Sequence, residues 1–76
     1  MTFLEKSLYQ AMQEKRFSYG CCVAAMTLLS GNNAAVRDAL LYLTDRNRVS
    51  EKAFIAQVAR LCQEYGINPN DKTSIR

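Results

Sequence analysis

The sequence predicts an all-α protein, a compact four-helix bundle made of two antiparallel αα-hairpins. Apolar residues recur at helical spacing in four segments, and no segment has the alternating β-branched pattern of a strand. The breaks between the segments are short, so successive helices should be antiparallel neighbours. The second segment, Tyr19 to Leu29, is apolar on nearly every side, which predicts that it is the buried central helix.

The first helix is indicated by a capping box at the start of the chain. Thr2 is followed three residues later by Glu5, so each side chain can accept a hydrogen bond from the other residue's backbone N–H. The predicted inward stripe of this helix consists of Leu4, Leu8, Ala11 and Met12. A break follows at Phe17 and Ser18, and Ser18 is a suitable N-cap for the second helix.

The third helix is expected over about residues 34–45. Gly31 can take the left-handed conformation that ends the second helix, and Asn33 or Asn32 can cap the third. The predicted inward stripe consists of Val36, Ala39, Leu40 and Leu43. Leu41 points to the opposite side of this helix, so we expect its side chain to be exposed.

The fourth helix should begin after Ser50, because Val49 before this N-cap and Phe54 in the first turn match a hydrophobic staple. Its predicted apolar face consists of Phe54, Ile55, Val58, Leu61, Cys62 and Tyr65. Gly66 should end the helix, with Ile67 folding back in a Schellman motif.

A faint internal echo aligns the first hairpin with the second at an offset of 32 residues, as in Leu8 against Leu40 and Ser18 against Ser50. Such an offset is close to that of helical-hairpin repeats, but the characteristic residues of the 34-residue tetratricopeptide unit are missing. We therefore interpret the echo as two stacked αα-hairpins and assign the chain to no family.

The composition is that of one small globular domain, with 76 residues of which 49% are hydrophobic and 22% charged. We expect a single helical domain over residues 1–67 and a polar tail over 68–76 that is loose unless a partner orders it. The net charge of +3 is too weak to indicate nucleic-acid binding by itself. Charges interrupt the start of the chain and no apolar run is long enough to span a membrane, so we expect a cytoplasmic protein without membrane contact.

We expect no metal, no cofactor and no catalytic activity. Cys21 and Cys22 are adjacent, which suits neither a disulfide nor a CxxC site, and their spacing from Cys62 matches no zinc motif. The chain has no histidine, the usual proton carrier at neutral pH. The acidic residues are spread over solvent-facing positions and helix starts, and the thiols should be buried and reduced.

A protein-binding surface is the function that the pattern favours. We expect one side of the second helix, which includes Cys22 and Leu29, to exceed the area that three short helices can cover. Leu41 and Tyr42 of the third helix would extend this surface. The protein would then act as an adaptor, a chaperone-like partner or a protein inhibitor, binding another protein or a second copy of itself as a homodimer.

The alternative is a helix-turn-helix regulator that binds DNA. Cations cluster around the connection between the third and fourth helices, at Arg46, Arg48 and Lys52, where a helix N-terminus can also bind an anion. The fourth helix would then enter the major groove, with Gln57 and Arg60 placed to read base edges. Acidic residues on both sides of the cluster weaken this interpretation.

Overall fold

The computed structural model describes residues 2–67 and shows four α-helices. They are α1 (Phe3–Glu14), α2 (Tyr19–Leu29), α3 (Asn33–Thr44) and α4 (Glu51–Glu64). No strand occurs within these residues, and the helices pack into one bundle, which confirms the predicted fold class. The polar tail predicted over 68–76 lies outside the described residues.

Each helix begins at a polar N-cap whose side chain accepts a hydrogen bond from a backbone N–H of the first turn. The capping box predicted for α1 is confirmed, because Thr2 Oγ1 accepts from the Glu5 N–H and Glu5 Oε1 accepts from the Thr2 N–H, both at 3.1 Å. The other caps are Ser18, Asn32 and Ser50. Asn32 is the one of the two predicted asparagines that caps α3, so this helix begins one residue before the approximate range expected; it also ends one residue earlier.

Helices α1 and α4 end in the same way, with a left-handed residue followed by a hydrogen bond that folds the chain back. After α4, Gly66 has a φ of 67° and the Ile67 N–H donates to a carbonyl of α4 at 2.8 Å, which confirms the predicted Schellman motif. After α1, Arg16 has a φ of 63° and the Phe17 N–H donates to a carbonyl of α1 at 3.1 Å. A non-glycine residue in this conformation costs about 1–2 kcal/mol.

The two hairpins lie side by side, with α1 next to α3 and α2 next to α4. The Lys15 ammonium, at the C-terminal end of α1, donates to the carbonyls of Arg46 and Asn47 at 3.1 and 3.2 Å. The Ser18 N–H, at the N-terminal end of α2, donates to the Glu51 carboxylate of α4 at 2.6 Å. These partners are 31–33 residues apart in the chain, close to the 32-residue offset between the two hairpins. The C-terminal ends of α1 and α3 are therefore neighbours, as are the N-terminal ends of α2 and α4. The helices of each pair run parallel.

The core takes apolar side chains from all four helices, and Phe54 of α4 is the largest of those that are fully buried. Its ring centroid lies 5.4 Å from that of Phe17 and 6.5 Å from that of Tyr42, both separations at which aromatic rings interact, and both pairs are tilted. Other fully buried side chains include Leu8, Met12, Leu29, Val36, Leu43 and Leu61. Phe54 therefore ties the α1–α2 connection and α3 to the fourth helix.

Helix α2 contacts each of the other three helices, as α3 also does, and it buries one side only. The buried residues are Cys21, Cys22, Ala25 and Leu29. On the opposite side, Tyr19 is 76% exposed and Val23 is 41% exposed. The expectation that the side with Cys22 and Leu29 stays uncovered is therefore wrong, because the other helices pack on that side.

Candidate partner-binding groove

An apolar groove lies between α2 and α4 on the surface of the bundle, and we call it the α2/α4 groove. Helix α2 contributes Ala24, Ala25 and Leu28 to its lining. The other side is formed by Ile55, Val58, Ala59, Cys62, Gln63 and Ile67. Its volume of about 370 Å³ falls within the range of sites that bind ligands, about 300–1,000 Å³.

The groove has a floor of core residues and a rim of small or exposed ones. Ala25, Val58 and Cys62 are buried and form the floor. Ala24 and Ala59 form part of the rim and are exposed. Because an alanine has only a methyl group, two facing alanines leave space between the helices that larger side chains would fill.

The N-terminal ends of α2 and α4 are held together next to the groove. Glu51 accepts the Ser18 N–H at 2.6 Å and the Ser18 hydroxyl at 3.2 Å. A carboxylate at a helix N-terminus is also stabilised by the helix dipole, and Glu51 lies at the start of both helices. The lining residues follow toward the C-terminal ends, where Ile67, positioned by the turn at Gly66, closes the groove.

The groove offers almost no hydrogen-bonding groups. Among the described residues that line it, Gln63 has the one strongly polar side chain. Helix α2 contains no charged residue, and the backbone groups in the middle of both helices are bonded within the helices. A ligand that lies here must therefore satisfy its own polar groups.

The ionised side chains nearest to the outer rim are basic. Lys52 stands two turns before Ala59 on the same side of α4, and Arg60 lies about 100° further round the helix, beyond the rim; both are exposed. The acidic residues of α4 do not lie along the outer rim, because Glu51 is at the N-terminal end of the groove and Glu64 is on another side of the helix. Glu51 is bound to Ser18, and Glu64 lies near Tyr65 on the side of α4 toward α3.

The three thiols act as apolar surface, which agrees with the expectation of buried and reduced cysteines. All three are free and buried. Burial raises the pKa of Cys62 and of Cys22, and burial with the nearby Glu51 charge raises the pKa of Cys21 to about 11. The thiols are therefore neutral at physiological pH, so Cys62 contributes apolar surface to the floor of the groove and does not act as a nucleophile.

The structure does not bring together the four residues assigned to a partner surface by sequence. Cys22 and Leu29 belong to the core, and the ring of Tyr42 packs partly buried beside Phe54. Leu41 is 49% exposed on the outer side of α3, as its position in the pattern predicted.

Sequence reasoning missed the groove because it placed Ile55 on the same inward face of α4 as Phe54. In the structure Ile55 lies at the edge of that face and is 41% exposed. The signal that points to this surface is the absence of charge on the exposed side of α2, since the solvent-facing side of a helix normally has charged residues.

The residues assigned to the DNA-binding alternative are placed in different environments. The Arg46 guanidinium stacks on the Tyr42 ring at 4.0 Å and donates to the Tyr42 carbonyl at 3.4 Å, so it covers the end of α3. Arg46, Arg48, Lys52 and Arg60 are all exposed. Gln57 is partly buried. The N-terminus of α4 is already occupied by the Ser50 hydroxyl, which accepts from a backbone N–H at 3.0 Å, and by the Glu51 carboxylate.

Two other carboxylates have structural partners. Glu5 is buried and, besides its capping role, accepts the Gly31 N–H at 3.0 Å and the Ser30 hydroxyl at 3.2 Å. The backbone hydrogen bond from Gly31, with that from Thr2, lowers the pKa of Glu5. Asp38 accepts a short hydrogen bond from the Tyr65 hydroxyl, which raises the pKa of Tyr65.

Within residues 2–67, no three cysteine or acidic side chains come together as a metal site would require. No helix in this part of the chain combines the length and apolar character that crossing a bilayer demands. Comparison with known proteins found no match to a protein family, to a curated protein or to a solved structure.

Proposed function

We propose that the protein is a non-catalytic protein-binding module that works through the α2/α4 groove. The observation that supports the proposal is an open apolar groove bordered by a helix without a single charged residue. Groups of exposed apolar side chains on a small domain are typical of interaction sites. Adaptor, chaperone-like and inhibitor roles all work by occupying such a surface, and the three free thiols favour a reducing, cytoplasmic compartment.

The absence of catalysis belongs to the same proposal. The carboxylates of Glu5, Glu51 and Asp38 accept hydrogen bonds from other segments of the bundle, and those to Glu5 lower its pKa. The thiols have raised pKa values, which makes them poor nucleophiles at neutral pH.

A helix-turn-helix regulator remains the second candidate because Arg48, Lys52 and Arg60 are exposed on or before α4. The position of Glu51 weighs against this candidate, since a carboxylate at the start of α4 repels the DNA phosphate that a helix N-terminus would bind. Binding to duplex DNA that falls steeply with salt, and falls again in Arg48→Ala and Lys52→Ala, would favour the regulator.

The test of the proposal compares two substitutions of the same kind on α4. Ala59 lines the groove and Ala56 does not, yet both are exposed, and glutamate is a good helix former at either position. The immobilised wild-type protein and both variants are used to capture partners from an extract of the source cells. We expect Ala56→Glu to retain the partners of the wild type and Ala59→Glu to lose them. Equal retention by all three proteins contradicts the proposed role of the groove.

A parallel Leu41→Asp variant tests the surface on α3 that the sequence suggested. Because Leu41 is a single exposed leucine away from the groove, we expect its substitution to leave capture unchanged. Loss of the partners in Leu41→Asp with retention in Ala59→Glu would move the binding site to α3.

A further inference from the structure

We infer that the occupant of the α2/α4 groove is an amphipathic helix of a partner protein with acidic residues beside its apolar face. This inference rests on the proposed function and adds the chemistry of the partner. Three observations support it, namely the lack of hydrogen-bonding groups in the groove, the length of the groove, and the basic residues along its outer rim.

The lack of hydrogen-bonding groups favours a helix over an extended peptide. An extended segment presents unpaired backbone N–H and C=O groups, which need partners such as an exposed sheet edge. Residues 2–67 contain no strand, and the groove lining offers the side chain of Gln63 as its one strong polar partner. A helix satisfies its own backbone groups, so it can lie against this surface without leaving them unpaired.

The length of the groove fits the spacing of anchors on one face of a helix. From Ile55 to Cys62, seven residues along α4, the helix rises about 10 Å. Apolar anchors at positions i, i+4 and i+7 of a partner helix span the same distance of about 10 Å. Two or three partner side chains can therefore reach the groove at once.

The charge at the rim favours acidic residues on the partner. Lys52 and Arg60 are exposed on α4, and α2 presents no charge on the other side of the groove. The Glu51 carboxylate lies at the N-terminal end of the groove, where Ser18 donates two hydrogen bonds to it, and Glu64 lies on the side of α4 toward α3. A partner helix with carboxylates beside its apolar face would meet Lys52 and Arg60, whereas a basic helix would be repelled. A second copy of this chain is disfavoured for the same reason, since it would bring its own basic rim to the groove.

The experiment uses four synthetic peptides of about 18 residues, long enough to form helices in water. Two share leucine anchors at i, i+4 and i+7 and differ in having glutamate or lysine on the flanking positions. The other two are the same sequences with a central proline, which breaks a helix. Binding of each peptide to the full chain is measured by fluorescence anisotropy at low and at physiological salt.

We expect the glutamate peptide to bind about threefold to tenfold more tightly than the lysine peptide at low salt, as two exposed charge pairs allow. We expect Ala59→Glu to abolish binding of both helical peptides. Ala56→Glu lies outside the groove but one turn from both Lys52 and Arg60, so it should preserve binding of the lysine peptide and weaken that of the glutamate peptide. The double variant Lys52→Glu, Arg60→Glu should reverse the preference between the two peptides, and the proline peptides should bind weakly or not at all.

The outcomes separate this inference from the proposed function. Equal affinity for both helical peptides, with loss in Ala59→Glu, overturns the acidic partner and leaves the groove as a binding site. Equal binding of the proline peptides overturns the helical occupant. A dimer in sedimentation that Ala59→Glu dissociates identifies a second copy as the occupant and overturns the inference. Absence of peptide binding also overturns it, while the capture experiment with Ala59→Glu and Ala56→Glu decides the proposed function independently.

Discussion

Replacement of Phe54 tests how the bundle is held together. This side chain is fully buried and stacks with Phe17 and Tyr42, so it connects α4 to the α1–α2 connection and to α3. Phe54→Ala removes the ring and leaves a cavity at the junction of these segments. Phe54→Leu keeps much of the apolar volume but loses both aromatic contacts.

The expected losses follow from these contacts. Truncation of a fully buried phenylalanine to alanine costs about 3–5 kcal/mol. The two aromatic pairs contribute about 0.5–1.5 kcal/mol each beyond burial, so Phe54→Leu should cost about 1–3 kcal/mol. A domain of 76 residues has a free energy of unfolding of roughly 4–11 kcal/mol. Phe54→Ala should therefore remove a large part of the stability, and Phe54→Leu a measurable part.

Urea unfolding followed by circular dichroism measures both losses. The slope of the free energy with urea is about 1 kcal/mol per molar for a chain of this size, so Phe54→Leu should lower the midpoint by about 1–3 M. The control is Ile55→Ala at the adjacent, 41% exposed position, which should cost less than Phe54→Leu. If Phe54→Ala costs less than about 1 kcal/mol, or if the two Phe54 variants are equally stable, then Phe54 does not connect these segments as the structure indicates.

Three further predictions concern single sites. Glu5→Gln should lower the free energy of unfolding. Because the pKa of Glu5 is lowered in the folded state, the loss of stability relative to the wild type should be complete above the ordinary glutamate pKa. It should shrink as the pH falls through the lowered pKa of the folded state. A difference in urea midpoint that is independent of pH would contradict this. Arg16→Gly should raise the free energy of unfolding by about 0.5–1 kcal/mol, since glycine removes the strain at a φ of 63°; a lower urea midpoint would show that the arginine side chain stabilises the turn. The thiols of Cys21, Cys22 and Cys62 should react slowly with a disulfide reagent in the native protein and rapidly in urea, and fast native reaction of all three would refute their burial.

The ends of the helices could be predicted from the sequence because they depend on local hydrogen bonds. The reciprocal bonds between Thr2 and Glu5, and the turn at Gly66 with its hydrogen bond from Ile67, form as the spacing of these residues predicts. The error of one residue at α3 has the same local origin, since two adjacent asparagines were available as caps and only Asn32 accepts the bond.

Contacts between distant segments could not be predicted from the same patterns. Glu5 and Glu51 lie in the first turns of their helices, where acidic residues are common. Each also accepts a hydrogen bond from a distant segment, Glu5 from the Gly31 N–H and Glu51 from the Ser18 N–H. These second roles exist because folding brings together residues that are 26 and 33 positions apart. The spacing of residues within one helix does not indicate which distant residues it will contact.

The sequence by itself determined that this chain forms four helices, where they begin and end to within about a residue, and that α2 contributes to the core. Only the tertiary structure decided which side of α2 is covered. A helix with apolar residues on one face has a single direction to bury, whereas α2 is apolar nearly all round and its sequence prefers no side. The other three helices pack on the side of α2 that contains Cys22 and Leu29. Val23 and Ala24 therefore remain exposed, and Ala24 lines the groove beside α4.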